Sequence, residues 1–335
     1  MRKVYFFIIA FALVFNAFFI ESAVAEDGSA HIPATLAEPM TLQFAIEEPR
    51  IRVGLLKPQS FVQFRSEEAD YDIYDGETKL GVLPMDRLGV LKYEDGKYRF
   101  TGAGMEFVSD KYFRLSPVDN PHAVFILPNI ERRVKWAKSV NFNAYRGALE
   151  YRLTQDGKTM YLINDVLMED YVAGVAETSS VAPMEYMKAL LTAARTYAYY
   201  VREHTTKHDK RNFDVVATTG DQLYLGVEHE RFAPRVAEAA RATRGYYVTF
   251  EDAVVITPYF ARSNGKTRPW GDVWRGTKPW LVSVAAIYDT GRSRYGHGVG
   301  MSQNDAAARA KKEGADWQTL VRYYYTGVEV EQLYQ

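Results

Sequence analysis

The sequence predicts an α+β fold. A β-rich N-terminal region over residues 49–140 is followed by a mixed α+β domain over residues 141–335 with one long cleft-lining helix. Three observations predict it. Short apolar runs beside Asp-Gly turns recur between Arg50 and Ile163, which is the pattern of hairpins. After Pro183 the apolar spacing changes to three and four residues, the period of a helix. The 335 residues allow about two domains, and a composition of 47% hydrophobic and 25% charged residues is that of a globular chain.

In order along the chain, residues 1–25 have the pattern of a secretory signal. Arg2 and Lys3 supply the positive start, residues 4–20 are apolar apart from Asn16, and Ala23-Val24-Ala25 offers small residues to a signal peptidase. Cleavage is expected after Ala25, with export to the periplasmic or extracellular cell envelope. The alternative is an uncleaved anchor that associates the chain with the membrane through its N-terminus, since an apolar run of 17 residues is at the short edge of a spanning helix. Residues 26–48, with Pro33, Pro39 and several small residues, read as a linker.

Strands are expected at 51–56, 71–74, 90–93, 123–127 and 148–153, three of them running into the turns Asp75-Gly76, Asp95-Gly96 and Asp156-Gly157. Pro183 fits the first turn of a helix, where a missing N–H costs nothing. Met184, Met187, Leu191, Ala194, Ala198 and Val201 then form one buried stripe on a helix of about 20 residues. Lys188 and Arg195, seven residues apart, share a face of it about 10 Å apart along the axis. That face is offset from the stripe, so both side chains can point into a cleft. Further helices are expected at 234–243, 305–313 and 317–325, and strands at 246–250 and 254–260.

Composition excludes several functions. With 41 Lys and Arg against 42 Asp and Glu, the chain lacks the positive excess of a nucleic-acid binder. With no cysteine there is no disulfide, Cys-ligated metal or thiol nucleophile. The 24 tyrosines suit a sugar-stacking surface and suit a β-rich core equally well.

Three segments stand out. The first is Glu169-Asp170-Tyr171-Val172-Ala173-Gly174-Val175-Ala176-Glu177, followed by Lys188 and by Ala194-Arg195-Thr196-Tyr197. The second is Phe213-Asp214-Val215 with Gln222-Leu223-Tyr224-Leu225-Gly226. The third pairs Ser263-Asn264-Gly265-Lys266-Thr267 with Gly296-His297-Gly298-Val299-Gly300-Met301-Ser302-Gln303. Together with the turn Tyr145-Arg146-Gly147, these resemble the family of stage II sporulation protein D and the amidase enhancers, over about residues 50–330. Members of that family act on bacterial cell-wall peptidoglycan.

The resemblance implies a lytic transglycosylase acting on glycan strands stripped of their peptides. The family's catalytic glutamate falls on Glu177, because its spacing to the Lys and then the Arg, 11 and 7 residues, is that of Glu177, Lys188 and Arg195. Such an enzyme manages with one carboxyl. It protonates the leaving oxygen, then takes the proton of the sugar's own 6-hydroxyl as that group closes an anhydro ring. The carboxyl must start neutral, so burial should raise its pKa. Lys188 and Arg195 would oppose this unless they face the substrate and bind the lactyl carboxylate or acetamide of the muramic sugar. Some members hold zinc through a His and cysteines near the Gln-x-Tyr segment. Here Asp221 precedes Gln222 and cysteine is absent, so no metal and no cofactor are carried over.

Each residue also has a structural reading. Glu177 can complement a helix dipole, and Lys188 and Arg195 can be a solvated face. His297, flanked by glycines, can hydrogen-bond a sugar or hold a turn. Gln222, Tyr224, Ser263, Thr267 and Gln303 can line a polysaccharide groove or satisfy one another. His204 and His208 lack the Glu of a zinc-protease motif and read as surface histidines. Three functions follow: a glycan-cleaving enzyme, a non-catalytic glycan-binding enhancer of a partner N-acetylmuramoyl-L-alanine amidase, or an envelope protein that reuses the fold.

Overall fold

The computed structural model describes residues 46–58 and 60–335. The expected signal at 1–25 and most of the expected linker lie outside the described residues. Among the described residues no helix is long and apolar enough to cross a membrane.

The β-rich part is built on two sheets. One has seven strands in the order Val215–Val216, Arg50–Leu56, Met160–Leu167, Ala148–Leu153, Phe113–Pro117, Tyr71–Asp75, Thr78–Leu83. The other has six, in the order Ala144–Arg146, Val124–Ile126, Phe61–Ser66, Gly89–Glu94, Lys97–Gly102, Met105–Ser109. Tyr71, Ile73, Phe64, Phe100, Phe113, Leu115 and Phe125 are fully buried. The rings of Phe64 and Phe125 stack at 5.1 Å between centroids, with Tyr71 edge-on to Phe64 at 4.8 Å. Residue 140 does not divide the sheets. Ala148–Leu153 and Met160–Leu167 pair with Phe113–Pro117 and Arg50–Leu56, so strands from both sides of that point complete one sheet.

The helices are α1 (Met168–Ala173), α2 (Met184–His204), α3 (Val227–Phe232), α4 (Pro234–Ala242), α5 (Gln303–Lys312) and α6 (Trp317–Tyr324). The long helix falls where the period placed it, with Pro183 at its N-cap. Its surroundings differ from the expectation of one buried stripe. Every residue from Ala189 to Thr196 is buried, more than two turns, so no face is free there. Helices α1, α4, α5 and α6 and the strand Tyr246–Phe250 all pack on α2, and Ala189, Ala193, Ala194 and Ala198 are small enough to let them close in.

The expected strand at 254–260 is two short ones. Ala253–Val254 pairs with Tyr246–Phe250, and Tyr259–Phe260 pairs in parallel with Met301–Ser302. Pro258 between them has no N–H to donate. Its carbonyl accepts from Met301 N at 3.2 Å and the Tyr325 hydroxyl at 2.9 Å.

Gly300 shows why the Gly-rich run has its composition. Its φ is +77°, and a Cβ there would lie 2.0 Å from the Pro258 carbonyl oxygen. Gly276 has a similar φ of +80° but opens into free space. Gly300→Ala is therefore expected to lose well over about 1 kcal/mol of stability, and Gly276→Ala only the smaller cost of a left-handed backbone. Paired urea denaturation midpoints measure the difference.

Candidate functional site

Glu177 is positioned by backbone pairing. The stretch 174–176 runs antiparallel to 223–225: Ala176 N donates to Leu223 O at 2.7 Å and Leu225 N to Gly174 O at 2.9 Å. Gly174 permits the approach, since a Cβ there would lie 2.6 Å from the Tyr224 ring. At the end of this ladder Leu223 N donates to Glu177 Oε1 at 2.7 Å. The Gln-x-Tyr-x-Gly segment thus serves as the rail on which the glutamate is mounted.

Glu177 is half-buried and lines a cleft of about 590 Å³ together with Gln222, His297 and Gln303. Trp270, Trp274, Tyr259 and Tyr295 supply aromatic walls, and Tyr197 is the contribution of α2. Burial raises the Glu177 pKa above the usual carboxylate range, and the Leu223 N–H offsets this only in part. Among the described residues no cation opposes the shift. The conflict expected with Lys188 and Arg195 does not arise, because neither lies in the cleft.

Arg195 is the main correction. It is fully buried. Its Nε and Nη2 donate to the two carboxylate oxygens of Glu169 at 2.8 and 2.6 Å, and its remaining donors reach Ala240 O and Tyr246 O. Glu169 also accepts from Gly245 N at 3.0 Å and the Tyr334 hydroxyl at 2.6 Å. Burial alone would raise the Glu169 pKa, but the Arg195 charge and these hydrogen bonds outweigh it and hold the carboxyl below its ordinary value. The pair ties α1, α2, α4 and the C-terminal end together. Lys188 is likewise absent from the cleft lining and pairs with Glu185 at 2.7 Å one turn earlier.

Three more expected ligands are structural. Tyr224 is 1% exposed and its hydroxyl donates to Asn164 Oδ1 at 3.0 Å. Ser263 is fully buried: its N–H donates to Asp289 and its hydroxyl accepts from Gly265 N. Thr267 Oγ1 accepts from Val284 N at 2.9 Å. Asp289 was not legible in sequence, yet it organises the whole C-terminal motif. It is fully buried and accepts from Ser263 N, the Ser302 hydroxyl and Asn304 Nδ2.

Gln222 forms the cleft floor with its amide fully used. It accepts from the Tyr171 hydroxyl at 2.7 Å and donates to Ala194 O and the Tyr259 hydroxyl. His297 faces Trp274 at 5.0 Å and Phe260 at 5.6 Å between ring centroids. Burial lowers its pKa, so it is neutral at pH 7. Its Nδ1 accepts from Val299 N at 3.1 Å, which leaves the proton on Nε2. Gln303 Nε2 reaches the Glu177 carbonyl at 3.5 Å.

Sequence reasoning missed the aromatic walls and one polar network. Asp221 accepts from the Tyr197 hydroxyl, Lys207 Nζ, His208 Nε2 and Val216 N at 2.5–2.9 Å. His208 is 4% exposed and is no surface histidine; the motif comparison alone gave no sign of its partner. Burial would raise the Asp221 pKa, but the hydrogen bonds from His208, Lys207 and Val216 outweigh it and hold the carboxyl below its ordinary value. The cleft therefore has two carboxyls tuned in opposite directions, and only Glu177 favours the protonated form. Among the described residues no group of three or more His, Cys, Asp or Glu side chains is arranged to hold a metal ion.

Residues 156–250 match the model of the family described as Stage II sporulation protein, SpoIID. Through this segment the chain is similar to the stage II sporulation protein D family. An uncharacterised protein of Brachyspira hyodysenteriae is 36% identical over 149 residues, 44% of this chain and 39% of the relative. The stage II sporulation protein D of Bacillus subtilis is 24% identical over 145 residues, 40% of this chain and 42% of that protein. That of Bacillus amyloliquefaciens is 25% identical over 147 residues, with the same coverage of 40% and 42%. The alignments thus span about two fifths of the curated relatives' length. The matched segment carries Glu177, Gln222 and the Glu169–Arg195 pair, while the walls of the cleft at Trp270, Trp274, Tyr295, His297 and Gln303 come from beyond it.

Proposed function

We propose that this protein is exported to the cell envelope and that its cleft cleaves peptide-stripped peptidoglycan glycan strands, with Glu177 as the single acid/base of a lytic transglycosylase. The observation that carries this reading is a half-buried carboxyl, raised in pKa, fixed by the Leu223 N–H and set in an aromatic-walled cleft. Pyranose rings present C–H faces that pack on rings such as Trp274 and Tyr295, which are 36% and 70% exposed.

In the first step the Glu177 carboxyl gives its proton to the glycosidic oxygen, and the bond from that oxygen to the muramic C1 breaks. The muramic O6 then bonds to C1, closing the anhydro ring, and its proton returns to Glu177. No water is consumed and the enzyme is regenerated. Asp221 is unsuited to act as a second base, because its oxygens are already bound by Tyr197, Lys207, His208 and Val216. Neutral His297 and Gln303 are placed to hydrogen-bond sugar hydroxyls.

The test is mass spectrometry of soluble products from amidase-stripped strands. Anhydro-muramic ends are the expected result. Strand binding without any cleavage replaces this reading with that of an enhancer of a partner amidase. The rate should also depend on pH with a definite sign. The working form of Glu177 is protonated, so kcat/KM should fall as pH rises through its pKa, and that fall should lie above the range of a solvent-exposed carboxylate. A pH–rate profile measures it.

A further inference from the structure

Glu177 also lines a second recess, of about 520 Å³, which shares no other lining residue with the cleft. We propose that this recess is the subsite for the N-acetylglucosamine unit that leaves when the strand is cut, with the muramic sugar held on the Trp274 side. The proposal rests on the glycan-cleaving reading of Glu177. A carboxyl that protonates a glycosidic oxygen needs a sugar on each side of the bond, and two recesses meeting at one carboxyl provide for both.

The recess has a built platform. Trp136 and Phe232 are 52% and 47% exposed, with ring centroids 5.6 Å apart. Such an exposed aromatic pair, beside a reactive carboxyl, is a sign of a binding surface. Trp136 is held in place. It packs on the fully buried Phe142 at 6.0 Å. Its loop is closed by Phe142 N donating to Arg132 O at 2.9 Å, and Arg132 in turn donates to the Tyr145 hydroxyl at 3.1 Å and to Ala217 O at 2.5 Å. A ring held before the ligand arrives loses little freedom on binding.

Charge selects which sugar enters. Among the described residues no Lys or Arg lines the recess; its polar groups are Thr178, Ser179, Ser180, His229 and Glu177 itself. Burial lowers the His229 pKa to about 4, so the ring is neutral, and its Nδ1 is an acceptor without a partner among the described residues. A lactyl carboxylate here would be desolvated against Trp136, Phe232, Ala176 and Ala233 with no counter-ion, which is unfavourable. N-acetylglucosamine has no ionisable group, a C–H face to stack, and hydroxyl and acetamide N–H donors for the Thr178 and Ser179 hydroxyls. The cleft lined by Trp274 has Lys207 on its wall.

The probe is N,N′-diacetylchitobiose, an uncharged dimer, titrated into the full chain by calorimetry, with N-acetylmuramic acid as competitor. Trp136→Ala should weaken chitobiose binding roughly tenfold, and Trp136→Phe should retain most of it. N-acetylmuramic acid should not displace chitobiose. Chitobiose binding that ignores Trp136→Ala, displacement by the muramic acid, or no binding to the wild type each overturns the proposal. The two readings fail separately. A wild type that binds chitobiose through Trp136 yet makes no anhydro ends loses the cleavage and keeps the sugar site. One that makes anhydro ends at full rate with Trp136→Ala keeps the cleavage and loses the subsite.

Discussion

Glu177→Gln is expected to abolish strand cleavage, lowering the rate by about 10²- to 10⁴-fold, the usual contribution of a positioned acid/base. The substitution is nearly isosteric. The Gln oxygen can still accept from Leu223 N, so the rail formed by 174–176 and 223–225 should be unchanged. What disappears is the transferable proton. Glycan binding should persist, because the aromatic walls and the neutral hydrogen-bonding groups are untouched. Cleavage that survives in this variant would mean that another group supplies the proton.

The same variant should be more stable than the wild type at neutral pH. The folded-state pKa of Glu177 is raised by burial. A group of that sign contributes its full stability below its unfolded pKa and loses it as pH rises through the folded one. At pH 7 the wild type bears a partly desolvated charge that glutamine does not. The difference in thermal midpoint should shrink as the pH is lowered below the normal carboxylate range. Equal midpoints at all pH values would contradict the burial effect and, with it, the basis for calling Glu177 an acid. A site that costs stability in this way is a common sign of function.

Arg195→Ala has the largest expected effect on folding. It removes one member of a buried, bidentate pair and leaves Glu169 charged and unmatched, a loss of about 3–5 kcal/mol. Chemical denaturation measures it. A double substitution of Glu169 and Arg195 by methionine should recover much of the loss, since apolar residues of similar volume often replace a buried pair without penalty. The Glu169 pKa is lowered in the fold. Its contribution is therefore present above the unfolded carboxylate pKa and lost as pH falls through the folded one. Wild-type stability should decline in that acid window, and Arg195→Ala should lack that part of the decline. If the variant folds normally and only its glycan binding falls, Arg195 is a substrate ligand after all.

The fate of the Ala194-Arg195-Thr196-Tyr197 run shows how far the sequence could be read. The period of the apolar residues placed α2 and its start at Pro183, because helix geometry repeats locally and side chains report it locally. It could not show how many neighbours would pack on that helix. Arg195 binds Glu169, Thr196 accepts from Val248 N, and Tyr197 reaches Asp221 at the cleft. Three adjacent residues face three separate parts of the molecule. The expectation that charged Arg195 would be available to substrate failed because its partner lies 26 positions away, on a different helix.

The aromatic walls illustrate the same limit. Trp136, Trp274 and Tyr295 carry no motif, and stand out only because they are exposed beside Glu177. Asp289 was silent for the opposite reason. It is buried, and it holds Ser263, which motif reading places at a substrate, together with Ser302 and Asn304.

The sequence by itself determined the α+β class, the hairpins at their Asp-Gly turns, the long helix and the glycine-dependent turns around His297. These depend on backbone preferences and on spacing along the chain, whereas Glu177 as candidate acid came with the family resemblance. Only the tertiary structure decided which polar residues meet solvent, which satisfy one another in the core, and that Glu177 borders two recesses. Those outcomes depend on burial and charge pairing between distant segments, and no local pattern encodes them.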